Sequence, residues 1–224
     1  MSKIIVDNIE STGTTVTVND ALTTGTNAIT AGSVTGLTAT SITSGTLSNA
    51  RLAAGTIIQA VTDTLTTAES WNSTSGGWQA IGTSGCEVTI TPSSTDSKIL
   101  IIYSCGGLNS NNGSTPATRI LRAISGGAST NPLVATGVGS RLAAQTLSPG
   151  YVGGDLGSGE IGFDTGSHFL DSPNTTSAIT YSIQWGGRTD GAVFTNYIGR
   201  TVTDTNGDYT ARAVTVITAM EIKG

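Results

Sequence analysis

Charge is scarce in this chain. Asp, Glu, Lys and Arg together make 11% of its 224 residues, and the ten basic ones are scattered. Proteins that grip phosphate backbones gather lysines and arginines into a stripe, so nucleic acid is excluded as the expected partner. Cysteine occurs only at Cys86 and Cys105, too few for a disulfide-stapled framework. Those two are either one disulfide or a pair of reduced small apolar side chains, and the sequence leaves both open. No apolar run reaches 18 residues, so no membrane insertion is expected. At the N-terminus, Met1-Ser-Lys-Ile-Ile-Val-Asp7 places a charge where a secretory leader continues its apolar stretch, so ordinary export is not expected.

What the chain has instead is hydroxyl and glycine. Thirty glycines and about forty threonines leave a neutral, hydroxyl-rich surface that favours β structure over helix. Net charge is −5.

One phrase recurs four times between residues 22 and 57: Leu22-Thr-Thr-Gly-Thr-Asn27, Ile29-Thr-Ala-Gly-Ser-Val34, Ile42-Thr-Ser-Gly-Thr-Leu47 and Leu52-Ala-Ala-Gly-Thr-Ile57. Each unit is too thin to bury its own apolar face and needs partners. The aliphatic positions Leu22, Ile29, Val34, Leu37, Ile42, Leu47 and Leu52 fall at gaps of seven, five, three, five, five and five. This fits neither a heptad nor a two-residue alternation, which argues against a coiled coil. Copies of the same chain supply such partners most simply, so an intertwined shaft is expected.

Three zones follow. Residues 1–20, with Ile4, Ile5, Val6, Asp7 and Ile9, form a first zone with short strand signals; 21–55 are the repeated, intertwined shaft; 56–224 a β domain. In the last zone nine or so strand-like runs alternate with turn residues, among them Lys98-Ile-Leu-Ile-Ile-Tyr103, Ala178-Ile-Thr-Tyr-Ser-Ile-Gln-Trp185 and Ala213-Val-Thr-Val-Ile-Thr-Ala-Met-Glu-Ile222. Alternation in Tyr181-Ser-Ile183-Gln-Trp185 and in Val214-Thr-Val216-Ile-Thr-Ala-Met220 predicts two antiparallel sheets packed face to face in a jelly-roll-like sandwich. Ile99–Tyr103 is expected to be its central strand, covered on both sides, the second cover being a neighbouring subunit. Asn206-Gly207 predicts a type I′ hairpin turn.

Ile42-Thr-Ser-Gly-Thr-Leu-Ser-Asn-Ala-Arg-Leu52, Gly55-Thr-Ile-Ile-Gln59, Ser97-Lys-Ile-Leu-Ile101, Leu170-Asp-Ser-Pro173 followed by Tyr181, and Ala219-Met-Glu-Ile222 resemble tail-fibre and fibre-like virion proteins of bacteriophages, particularly of marine podoviruses and cyanophages. The resemblance covers most of the chain. It implies a homotrimer located in the virion, bound to other virion proteins through its N-terminus and meeting a host-surface glycan or protein at its C-terminal tip. A capsid-mounted fibre or decoration protein is the alternative.

Chemistry for an enzyme does not assemble. His168 lies in Gly166-Ser-His-Phe-Leu-Asp171 without a nucleophile motif, and a sandwich-edge role suits it better than a triad. Asp155, Glu160, Asp164 and Asp171 are the densest acidic cluster, but their spacing specifies no paired-carboxylate geometry, so a solvated loop is expected and a polysaccharide depolymerase is disfavoured. Asp204-Thr-Asn-Gly-Asp208 resembles the start of a calcium loop, yet Thr215 stands where the closing acid belongs. No phosphate-binding loop or Cys/His metal spacing occurs. No cofactor, metal or catalytic role is expected. Receptor contacts are expected from aromatic and polar residues beside glycine-containing loops: Trp71, Trp78, Tyr151, Trp185, Arg188, Asp190 and Tyr197.

Overall fold

A computed structural model describes residues 48–73, 77–82, 85–110, 115–137, 139, 141–148, 163–187, 194–207 and 210–224. The chain divides into two units, Met1–Thr46 and Leu47–Gly224, and every described residue belongs to the second. The attachment residues Ile4, Ile5, Val6, Asp7 and Ile9, and the shaft positions Leu22, Ile29, Val34, Leu37, Ile42 and Leu47, lie outside the described residues.

Regular structure among the described residues is β, apart from one 3-10 turn at Asn49–Arg51. In chain order the strands are β1 Ile57–Leu65, β2 Glu69–Ser73, β3 Gly77–Ala80, β4 Glu87–Ile90, β5 Lys98–Ser110 and β6 Ala117–Ile124. After these come β7 Ser129–Thr130, β8 Thr146–Leu147, β9 Phe163–Asp171, β10 Ile179–Gly187, β11 Phe194–Ile198 and β12 Thr215–Ile222. All pairings are antiparallel.

The first sheet sets β1, β12, β5 and β9 side by side, with β11 and β2 continuing from the far end of β5. The handover happens at Gly106. Its N–H donates to the Val214 carbonyl at 3.2 Å and its own carbonyl accepts from the Gly199 N–H at 2.9 Å, so β5 leaves β12 and takes up β11 there. A Cβ on Gly106 would stand 2.5 Å from the Val214 oxygen, and Gly107 has φ +64°. These two constraints explain a glycine pair inside an otherwise aliphatic strand.

In the second sheet β10 is central, with β6 on one side and β3 followed by β4 on the other. Ile81 N–H donates to the Ile183 carbonyl, and Ile183 N–H donates to the Cys86 carbonyl. The chain thus leaves the sheet after Ile81 and rejoins it at Cys86, which makes β3 and β4 one interrupted edge strand. Short β7 and β8 line the outer side of β6.

One hydrophobic core lies between the sheets. Ile99, Ile101, Tyr103 and Cys105 of β5 join Tyr181, Ile183 and Trp185 of β10 in it, as the alternation in 181–185 predicts. Each fully buried large aliphatic contributes roughly 1.5–3 kcal/mol. Polar ties also cross the core. Arg122 on β6 donates to both Asp171 oxygens on β9 (2.8 and 2.9 Å), and the Tyr181 hydroxyl donates to the same carboxylate at 2.7 Å. The Tyr103 and Thr118 hydroxyls are 3.0 Å apart. Asp171 is thus buried rather than part of a solvated acidic loop. Cys86 and Cys105 are unbonded, buried thiols; burial, then the nearby Asp63, push Cys86 up to about 11.

One expectation changes, and two others gain detail. Strand β12 buries Thr215, Ile217, Ala219 and Glu221 and turns Val216, Thr218 and Met220 outward, a phase that the alternation in its sequence left open. Both faces of this strand carry aliphatics, so alternation alone does not choose between them. Strand β5 is central, with partners on both edges and its inner face in the core; its outer face, the one whose cover was expected from a neighbouring subunit, is open within the described chain, with Ile102 43% exposed. Neither Asn206 nor Gly207 has positive φ, which a type I′ turn requires at both central residues. Gly207 N–H donates to the Thr205 carbonyl instead, at the tip of the long connection between β11 and β12.

Candidate functional site

Of the aromatic candidates, Trp185 is 1% exposed, with its indole 6.1 Å from that of half-buried Trp71. Trp185 therefore has no ring face left for a ligand. Trp78 lies over Gly186, where a Cβ would come within 2.9 Å of the indole, and the Arg119 guanidinium sits 4.2 Å from its ring centroid. Arg119 Nε also donates to Gln184 Oε1 at 2.9 Å, which fixes that cation on the outer face of the second sheet. Tyr197, on β11, carries the Arg200 guanidinium 4.4 Å from its ring centroid. The four aromatics are divided among the core, the outer face of the second sheet and the far end of the first. Tyr151, Arg188 and Asp190 lie outside the described residues. Leu52, assigned to the shaft by its spacing, is half-buried, and its carbonyl accepts from the Lys223 ammonium, so it is tied to the C-terminal end of the β module.

A concavity lies beside Arg200, the cation stacked on Tyr197. A cleft of about 690 Å³ opens where β5, β11 and β12 meet, floored by Gly106, Gly107, Ala211, Ala213 and Val214. Ser104, Asp164, Arg200 and Arg212 supply its polar groups together with Thr201. Arg200 and Arg212 stand opposite one another in an isolated antiparallel bridge. Like charges placed directly across a ladder repel. Asp204 resolves this: its carboxylate takes Arg200 Nη1 and Arg212 Nη2, each at 2.8 Å. Arg200 is further anchored by its stack on Tyr197 and by a 3.3 Å bond from Nη2 to the Val202 carbonyl. Arg212 is the freer of the two, 60% exposed, with only Nη2 engaged among the described residues. Asp164 accepts from the Ser104 hydroxyl at 2.6 Å through Oδ1.

The cleft therefore offers a rigidly seated guanidinium pair, an exposed carboxylate and a floor without large side chains. Sequence reading missed Arg200, Arg212 and Asp204 as a group. The available signal is their spacing, an acid four residues after one arginine and eight before the other. Read alone, Asp204-Thr-Asn-Gly-Asp208 points toward calcium instead. Among the described residues no cluster of His, Cys, Asp or Glu has the arrangement of a metal site. His168 sits on edge strand β9 opposite Ile102, exposed, in keeping with its expected edge position. No protein-family model matches the chain, and a search of curated proteins finds no similar sequence.

Proposed function

We propose that the chain is a self-associating, non-enzymatic fibre protein of a bacteriophage particle. Residues 1–20 dock it to other virion proteins, 21–55 wind three copies together, and the jelly-roll-like β module meets the host surface. A capsid-mounted fibre or decoration protein is the second reading. The observation that carries the self-association is the outer face of the first sheet. Met220, Leu100 and Leu170 form one cross-strand row, Thr218, Ile102 and His168 the next, and Val216, Ser104 and Gly166 a third. Leu170 is 50% exposed at one end of this face, Ile102 43% in its middle row and Val214 51% at the opposite end. A sheet face that exposes Ile102, Leu170 and Val214 and carries His168 as the one titratable side chain in these rows is the kind that another protein surface covers. The chain enters this same sheet directly from the repeated segment, through edge strand β1. A second copy of the chain is therefore the occupant that the repeats and the exposed face jointly favour.

Avidity supports the role. Three identical modules on one shaft multiply weak individual contacts, which suits repetitive envelope glycans. The test is Ile102→Glu, which places a charge in the middle row without touching the core. It should shift the protein from trimer to smaller species in sedimentation while its circular dichroism stays β-rich. An unchanged trimer removes this face from the interface.

A further inference from the structure

The cleft beside Tyr197 has a composition that selects a ligand. Arg212 presents guanidinium donors with Nε and Nη1 unengaged among the described residues. Asp164 presents an acceptor, with Oδ2 likewise unengaged. The floor is glycine, alanine and the exposed Val214. A purely apolar ligand would strip water from Arg212 and Asp164 and return no hydrogen bond, which is costly. A phosphate or simple carboxylate would satisfy Arg212 but meet Asp164, while Asp204 already neutralises much of the arginine pair. A ligand whose adjacent groups each donate and accept, carried on an otherwise apolar ring face, satisfies all three parts at once. Vicinal hydroxyls on a pyranose ring have that character.

We infer that this cleft is a saccharide subsite that binds neutral hexopyranose units, Asp164 accepting from one ring hydroxyl and Arg212 donating to its neighbour. Gly106 and Gly107 leave the β5 backbone bare along the lining, and a Cβ on them would press on Val214 and on the Arg200 backbone respectively. Tyr197 acts beneath the site: its stack on Arg200, with the Asp204 bridge, fixes the cationic wall before the ligand arrives. The volume of about 690 Å³ lies within the range of about 300–1,000 Å³ usual for small-molecule clefts. This inference deepens the surface-recognition reading and rests on it for its biological meaning, while the binding itself stands or falls alone.

The experiment uses the full chain and four free sugars: glucose, galactose, mannose and N-acetylglucosamine, with inorganic phosphate as the anion control. Saturation-transfer NMR should show ring-proton contact for at least one sugar and no binding of phosphate. Arg212→Ala and Asp164→Asn should each weaken that sugar at least tenfold. Both positions are exposed, and unchanged circular dichroism will show that the fold is kept. Absence of binding by all four sugars overturns the inference, as does equal binding in both variants or phosphate binding alone. The mass of the same samples separates the two proposals: a trimer that binds no sugar removes the subsite and leaves the fibre reading, whereas a monomer that binds sugar does the reverse.

Discussion

Asp171 and Glu221 are buried carboxylates whose partners decide their effect on stability. Asp171 accepts from Arg122 and Tyr181 across the two sheets. Asp171→Ala leaves the Arg122 guanidinium, itself only 18% exposed, without its counter-charge, so a loss of about 3 kcal/mol is expected in chemical denaturation. Glu221 is fully buried. Burial pushes its carboxyl up, but the Ser97 hydroxyl beside it, then Gln59 and the Ser93 N–H and hydroxyl, outweigh burial and hold the group below its ordinary value. A carboxyl depressed in the folded state adds stability above its unfolded value of about 4.3 and loses it as pH falls through the folded value. The wild-type melting temperature should therefore fall more steeply below about pH 4.3 than that of Glu221→Gln; equal slopes would show that Glu221 contributes nothing. Residue-scale chemistry of this kind was hidden in the sequence. Asp171 read as one of a cluster of four solvated acids because Arg122 and Tyr181, its partners, are 49 and 10 residues away.

Elements with aliphatic runs were legible and polar ones were not. The cores of β5 and β10 follow from Ile99–Tyr103 and Tyr181–Trp185, where β-branched and aromatic residues leave little alternative to a buried strand. Strand β2, Glu69-Ser-Trp-Asn-Ser73, has one apolar residue and escaped notice; pairing with β11 rather than its own composition holds it. Strand β9 was read only at its start, because Gly166 and His168 interrupt it. A Cβ on Gly166 would lie 2.5 Å from the Tyr103 oxygen, so close approach to β5 demands that glycine. The phase of β12 could not be chosen because its outward residues are as apolar as its inward ones. Gly106→Ala tests the handover between β12 and β11. With a Cβ 2.5 Å from the Val214 carbonyl, the strand must shift, and about 2 kcal/mol of stability should be lost. Gly126→Ala has open space and only its φ of +77° to overcome, so it should cost about 1 kcal/mol. Equal losses would show that the crowding at Gly106 is relieved elsewhere.

At the scale of the whole molecule, two apolar surfaces call for explanation and only one is internal. The core between the sheets completes the module. The outer face of β12, β5 and β9 stays open within the described chain, and the repeated segment upstream carries aliphatics at intervals no single helix or strand absorbs. Both features follow if three chains assemble. Deleting residues 1–20 should leave that assembly intact while abolishing incorporation into particles, measured by protein content of purified virions; retained incorporation would move the attachment site elsewhere in the chain. The polar cleft was the least legible part, since Arg200, Asp204 and Arg212 draw their meaning from a cross-strand bridge that spacing only hints at.

Multi-angle light scattering of the purified full chain at micromolar concentration is the most direct trial. A mass three times the 22.5 kDa of one chain, stable on dilution, is the expected result. A stable species at the mass of a single chain would contradict it, because both the repeats and the outer sheet face would then have no partner.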